Sequence, residues 1–126
     1  MERTHQSFTT RLFCAGVVWG CLAPGPLLAD ESPKGDRDRG EKLYSRYCRG
    51  CHGEEGKGDG LVFMPHVNNL TRKGYIDQLP DSYLLLAITK GGPGIGKSNY
   101  MPSWEGTLSN EQMWDIIAYV RSLPLY

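Results

Sequence analysis

The sequence lacks the features of several large functional classes. Its 14 basic and 14 acidic residues give a formal net charge of +0, without the basic excess that an extended nucleic-acid surface needs. No apolar run has the length of about 20 residues that a membrane span requires. Neither an internal repeat nor an alternating strand pattern is present, so 126 residues predict a single, mainly α-helical domain.

The N-terminal segment has the layout of a secretory signal peptide. Arg3 and Arg11 precede an apolar run over residues 12–22. Prolines follow that run, and Ala29 offers a small residue for cleavage. We therefore predict a cleavable signal peptide over residues 1–29, a mature domain over residues 30–126, and export to the bacterial periplasm. The alternatives are an uncleaved anchor or a lipid anchor on Cys21.

Cysteine is scarce once that leader is removed. Of the 4 cysteines in the chain, only Cys48 and Cys51 lie in the mature domain, so no second pair is present to form disulfides. An exported domain of this size often needs a covalent or metal staple, and a buried cofactor is the expected substitute.

The two remaining cysteines belong to the run Cys48-Arg49-Gly50-Cys51-His52, which is the C-x-x-C-H attachment signature of c-type haem. On one helical turn its two thiols and its imidazole share a face. The thiols can add to the two vinyl groups of a haem, and the imidazole can ligate its iron. A thioredoxin-type pair needs surrounding strands, and structural zinc needs four ligands, which the mature chain supplies only by combining the cysteines with His52 and His66.

A sixth iron ligand has four candidates, which are Met64, His66, Met101 and Met113. Met113 lies on the apolar stripe of a helix and is most simply a core residue. Met64 and His66 follow His52 too closely to reach the opposite haem face easily. Met101 lies in a long loop that can wrap around the haem edge, and its soft thioether suits iron, so Met101 is the favoured ligand.

The segment from Gly91 to Ser98 matches the phosphate-binding pattern G-x-x-x-x-G-K-[ST]. That pattern works only between a strand and a helix, whereas Pro102 and Gly106 would break the required helix. We interpret the match as coincidental and expect no nucleotide partner.

Periodicity and capping residues predict the helices. The expected elements are a helix over residues 36–48, a short turn over 75–79, a helix over 82–90 after Asp81 as N-cap, and a last helix from Ser109 to about residue 123, with Gln112 completing a capping box.

Taken together, residues 36–124 resemble the class I c-type cytochromes. Gly40 and Tyr44 correspond to the glycine and aromatic residue at which the family's first helix crosses its last helix, here around residues 116–120. The run from Asn99 to Trp104 resembles the axial-methionine loop of the small bacterial members.

This resemblance implies an all-α cytochrome c fold, with three to four helices around one covalently bound haem c. It implies that Cys48 and Cys51 attach the haem, that His52 and Met101 ligate the iron, and that the carbonyl of Pro65 accepts the other N–H of His52.

The function implied is one-electron transfer between redox protein partners, without enzymatic activity and with membrane contact only through partners or a lipid anchor. The alternatives are a haem subunit of a larger dehydrogenase or oxidase, and a ligand-binding or peroxidatic haem protein if Met101 is not a ligand. Lys57, Lys90 and Lys97 could surround a docking surface, although simple solvation is the preferred interpretation.

Overall fold

The computed structural model describes residues 34–62 and 67–126. Within these ranges the regular structure is helical, and the only β-type pairing is an isolated bridge between Glu105 and Leu108. The elements are α1 (Arg37–Tyr47), α2 (Arg49–His52), a 3-10 turn (Ile76–Gln78), α3 (Asp81–Gly94) and α4 (Asn110–Ser122). This agrees with the predicted all-α class. No helix in the described part of the chain has the length and apolar character needed to cross a membrane. The predicted signal peptide, residues 1–29, lies outside the described residues.

Helix α1 begins with a side-chain cap that was not predicted from the sequence. The Asp36 carboxylate accepts hydrogen bonds from the backbone N–H groups of Arg39 and Asp38, both at 2.9 Å. These bonds satisfy donors that the first helical turn leaves without an intrahelical acceptor. They also favour the charged carboxylate, so they lower the pKa of Asp36, with the bond from Arg39 as the largest cause.

The lowered pKa makes a testable contribution to stability in acid. A carboxylate with a lowered folded-state pKa stabilises the fold above its ordinary pKa of 3.8, and this stabilisation is lost as pH falls through the lowered value. Asparagine also caps helices, so Asp36→Asn is expected to match the wild type near neutral pH and to lose less stability below pH 3.8. Urea unfolding near neutral pH and below pH 3.8 measures this difference. An equal loss of unfolding free energy on acidification in the two proteins would contradict the prediction.

Helices α1 and α4 cross closely at Gly40, and this crossing is the most extensive helix contact in the fold. A Cβ atom on Gly40 would collide with the backbone carbonyl of Asp115 and lie 3.1 Å from the Cβ of Tyr119. One turn further along, the rings of Tyr44 and Tyr119 pack with their centroids 5.1 Å apart. The crossing predicted from Gly40 and Tyr44 is therefore present.

An ion pair between an exposed arginine and a buried carboxylate also joins the two helices, and it was not predicted from the sequence. Asp115 is only 2% exposed, and its carboxylate lies 3.0 Å from Nε of Arg39. The same carboxylate accepts the backbone N–H of Asp36 at 2.6 Å, so it links α4 to the start of α1. Charge pairing and hydrogen bonds together compensate for its burial.

The start of α3 differs from the prediction by one residue. The N-cap is Pro80, and Asp81 is the first helical residue without a capping hydrogen bond. The reason is a tertiary contact, because the Asp81 carboxylate accepts a 2.8 Å hydrogen bond from Nε of Arg121 on α4. Arg121 also donates to the carbonyls of Ile76 and Leu79 and so attaches the 3-10 turn to α4.

Helix α4 begins as predicted and provides much of the core. Ser109 accepts the backbone N–H of Gln112, and the Gln112 side chain accepts the backbone N–H of Ser109 at 2.9 Å, which completes the capping box. The side chains that α4 buries against the other helices are Met113, Ile116, Ile117, Tyr119 and Val120.

Candidate cofactor site

One cavity brings together four of the residues singled out from the sequence. Its volume is about 530 Å³, within the usual range for small-molecule sites. Cys48, Cys51, His52 and Met101 all line it. The remaining lining residues are Tyr47, Val67, Asn68, Gly92, Ile95, Lys97, Ser98, Tyr100, Pro102 and Trp104.

The cysteine–histidine motif forms a short helix of its own. Helix α1 ends at Tyr47, Cys48 is its C-cap, and α2 starts at the next residue. The backbone N–H of His52 donates to the carbonyl of Cys48 at 3.0 Å, which fixes the i, i+4 geometry. The two thiols and the imidazole therefore all reach the same cavity, as the spacing predicts.

The two thiols are not joined as a disulfide. Burial raises the pKa of the Cys48 thiol to about 12, and the nearby Cys51 adds to the effect. Cys48 is therefore protonated at neutral pH. This disfavours the low-pKa thiolate that a thioredoxin-type redox pair uses.

The His52 imidazole contains a buried nitrogen that finds no partner among residues 34–62 and 67–126. This atom is Nδ1, and a buried side-chain nitrogen usually has a hydrogen bond. Burial lowers the pKa of the His52 ring, and the nearby backbone of Asn68 partly opposes this effect. The Asn68 backbone does not form a hydrogen bond of ordinary geometry with Nδ1. Pro65, the predicted acceptor for His52, lies outside the described residues.

The sulfur candidates for the sixth ligand differ in position. Met101 is half-buried and lines the cavity. Met113 is 5% exposed in the core, where its Sδ accepts a 3.2 Å hydrogen bond from the Thr89 hydroxyl, and it does not line the cavity. Met64 and His66 lie outside the described residues. Of the described methionines, only Met101 shares the cavity with His52.

An aromatic pair forms part of the cavity wall. Tyr47 and Trp104 both line the cavity, and their ring centroids lie 5.3 Å apart in an edge-to-face arrangement. Tyr47 comes from the end of α1 and Trp104 from the loop that follows Met101. Trp104 belongs to the methionine loop expected from the sequence, but its contact with Tyr47 was not predicted, because nothing local in the sequence relates the two positions.

Tyr44 connects the helix crossing to the cofactor site. Its buried hydroxyl donates a 2.8 Å hydrogen bond to the carbonyl of Gly53, the residue directly after His52. Burial raises the pKa of Tyr44 well above its usual value, so the hydroxyl stays protonated and remains a donor. The end of α2 is therefore attached to α1 through this side chain.

Replacing Tyr44 with phenylalanine tests this attachment. The change leaves the buried Gly53 carbonyl without its donor, so the free energy of unfolding should fall by about 1–2 kcal/mol. Tyr119→Phe is the matched control, because its ring packs on Tyr44 and its hydroxyl is not hydrogen-bonded within the described part of the chain; its cost should be about 0.5 kcal/mol or less. Equal losses in the two variants, measured by denaturant unfolding, would contradict a specific role for the Tyr44 hydroxyl.

The three lysines named in the sequence analysis have different surroundings. Lys57 pairs with Glu55, and Lys90 pairs with Glu105, both at 2.6 Å. Lys97 lines the cavity and has no ion-pair partner among the described residues. Two of the three positive charges are therefore locally compensated, which does not favour a strongly basic ring.

The segment that matches the phosphate-binding pattern is the distorted end of α3. Gly91 has φ 69°, which interrupts the regular helix, and the backbone N–H of Lys97 returns to the Gly92 carbonyl at 2.8 Å. No strand precedes the segment within residues 67–126. The structural context of a nucleotide-binding loop is missing there.

Comparison with known proteins places this site in a family. Residues 35–120 match the family described as "Cytochrome C oxidase, cbb3-type, subunit III". The chain is 34% identical over 88 residues to the cbb3-type cytochrome c oxidase subunit FixP of Bradyrhizobium diazoefficiens; the match covers 70% of this chain and 28% of FixP. The chain thus spans less than a third of the length of that relative.

Solved structures give the same result. Cytochrome cL from Hyphomicrobium denitrificans aligns with a TM-score of 0.54 and 25% identity, over 70% of this chain and 47% of that one. A chain of the Kuenenia stuttgartiensis reducing HAO-like protein complex aligns with a TM-score of 0.58 and 29% identity, over 73% of this chain and 44% of that one. The helical fold is therefore the cytochrome c fold.

Proposed function

Because the chain belongs to the family of cbb3-type cytochrome c oxidase subunit III, a family of c-type cytochromes, we propose that it transfers single electrons through one haem c. Cys48 and Cys51 attach the haem through two thioether bonds, and His52 and Met101 ligate its iron. The observation that carries this proposal is the convergence of two thiols, one imidazole and one thioether on a single cavity.

The residues at the cavity fit such a group. Burial lowers the pKa of His52, which favours the neutral imidazole that can ligate a metal, and its buried Nδ1 has no hydrogen bond to any described residue. A histidine that ligates iron through one nitrogen would need an acceptor for the other. Neither thiol is engaged in a disulfide, so both are available for thioether bonds.

When bound, haem c supplies an iron that alternates between the ferric and ferrous states. With His52 and Met101 both kept as ligands in the two states, little reorganisation would oppose electron transfer. The thioether of Met101 favours the ferrous state and raises the reduction potential compared with two nitrogen ligands. Tyr47 and Trp104 limit the access of water to the cavity from their side.

The partners are redox proteins in the periplasm, to which the predicted leader would export the chain. Two arrangements fit this role, a diffusing carrier and a haem subunit fixed in a larger complex. The relative FixP is named as an oxidase subunit, and a structural neighbour comes from an HAO-like complex, which supports the second arrangement. In both arrangements the chain moves electrons and performs no substrate chemistry of its own.

Covalent attachment of one haem is the direct test of this proposal. The chain, produced in cells with a c-type haem maturation system, should keep its haem after denaturation and acid–acetone extraction, with a mass increase of one haem per chain. The double variant Cys48→Ala/Cys51→Ala should keep none. Release of the haem from the wild type, or a mass that corresponds to two haems, would contradict the proposal.

A further inference from the structure

The distorted end of α3 holds the backbone of the loop that carries Met101. The backbone N–H of Gly92 donates to the carbonyl of Met101 at 2.9 Å. Three residues beyond Met101, the backbone N–H of Trp104 donates to the carbonyl of Ile88 at 3.1 Å. Two hydrogen bonds therefore attach this loop to α3, one at Met101 itself and one three residues later.

Two further bonds strengthen this attachment at Thr89. The backbone N–H of Glu105 donates to the Thr89 carbonyl at 3.2 Å, and the Ser103 hydroxyl donates to the same carbonyl at 2.5 Å. Carbonyls in the last turn of a helix have no intrahelical donor and accept other partners. Here the carbonyls of Ile88 and Thr89, just before the break at Gly91, accept hydrogen bonds from the loop that carries Met101.

Both glycines are required for this arrangement, for different reasons. Gly91 has φ 69° and ψ −172°, a conformation that side chains disfavour, and a Cβ on it would lie 2.5 Å from the Met101 carbonyl. A Cβ on Gly92 would overlap the carbonyl of Ser98, which passes directly over this residue. Any larger residue at position 92 must displace the segment that leads to Met101.

We propose that Gly91 and Gly92 are positioning residues for the sixth iron ligand, because they hold the Met101 backbone at the distance from which its thioether reaches the iron. This inference rests on the proposed function, in which Met101 ligates a haem. The pair thereby sets how often the thioether detaches and how closed the iron is to external ligands. Neither glycine contacts the iron itself.

Carbon monoxide binding to the ferrous holoprotein measures this role. Carbon monoxide can bind only to the fraction of protein in which Met101 has detached, so its apparent affinity reports that fraction. In Gly92→Ala the added methyl group should displace the Ser98 segment and, with it, Met101. The apparent affinity should rise about tenfold, and the far-red methionine–iron band of the ferric protein should weaken. In the background of Met101→Ala, the same change at Gly92 should have no further effect, because no thioether is left to position.

Gly96→Ala is the matched control. Gly96 lies in the same loop with φ 68°, so alanine there is also strained, but a Cβ on Gly96 would meet no atom within 4 Å. This variant should lose some stability while keeping the wild-type affinity for carbon monoxide. An equal rise in affinity in both variants would show that strain in the loop suffices, and would overturn the specific role of the glycine pair.

Two further outcomes separate this inference from the proposed function. If the wild type shows no methionine–iron band, the proposed ligation fails. If the band is present and Gly92→Ala binds carbon monoxide as weakly as the wild type, only the positioning role fails.

A second variant covers the case in which Gly92→Ala yields no folded holoprotein. Ser103→Ala removes one hydrogen bond between the methionine loop and Thr89 without adding bulk. An unchanged affinity in Ser103→Ala would then overturn the inference, and a several-fold rise would support it.

Discussion

Replacing Met101 with alanine is expected to open the sixth coordination position and to lower the reduction potential by on the order of 100 mV. The methyl side chain of alanine cannot ligate iron, so the ferric protein should lose its far-red methionine–iron band. The ferrous protein should bind carbon monoxide readily. Optical spectroscopy and a redox titration of the holoprotein measure all three effects.

Met113→Leu is the control for this experiment. Met113 has the same side chain but lies in the core, with its sulfur hydrogen-bonded to Thr89. Leucine has a similar volume, so the variant should lose less than about 1.5 kcal/mol of stability and keep the wild-type spectrum. Retention of the far-red band in Met101→Ala would contradict the assignment and would direct attention to Met64, because the band requires a methionine ligand.

Replacing Gly40 with leucine is expected to remove most of the stability of the fold. Its Cβ alone would collide with the backbone of α4 at Asp115, and the remaining side-chain atoms have no space between the helices. Separating α1 from α4 would also break the ion pair between Arg39 and the buried carboxylate of Asp115. We expect a loss of more than about 4 kcal/mol, a large part of the stability of a small domain.

Ser45→Leu is the matched control, because Ser45 is exposed on the same helix. It should change the free energy of unfolding by about 0.5 kcal/mol or less. Denaturant unfolding followed by far-ultraviolet circular dichroism, together with the yield of holoprotein, compares the two variants. A Gly40→Leu protein as stable as Ser45→Leu would show that the helix crossing does not depend on close backbone approach.

The features predicted correctly from the sequence depend on residues close together in the chain. The Ser109 and Gln112 capping box involves positions three residues apart, and the cysteine–histidine motif spans one turn. Local hydrogen bonds and helical spacing determine both, so the pattern suffices. The crossing at Gly40 required the resemblance to a family, since nothing near Gly40 identifies its partner.

The features that were missed depend on contacts between distant segments. Asp81 has the identity of a good N-cap, but its carboxylate pairs with Arg121, 40 residues away. Asp115 interrupts the apolar stripe of α4, and only the fold brings Arg39 to its carboxylate. The hydrophobic pattern of α4 alone would place Asp115 on the solvent side, because the pattern carries no information about Arg39 on another helix.

The cofactor site shows the same division. Cys48, Cys51 and His52 follow from one local motif, whereas Met101 lies about fifty positions further along and was selected by its loop and by the family resemblance. The pattern from Gly91 to Ser98 predicts only a loop with a coincidental match. The hydrogen bonds that join Gly92 to Met101 and Ile88 to Trp104 connect positions well separated in the chain, and they emerge only from the folded backbone.

A redox titration of the mature holoprotein, followed by optical spectra, tests the central claim most directly. One haem c with His52 and Met101 as axial ligands predicts a single one-electron transition, with a far-red methionine–iron band in the ferric protein that disappears on reduction. A ferric spectrum without that band, or more than one transition, would contradict the claim.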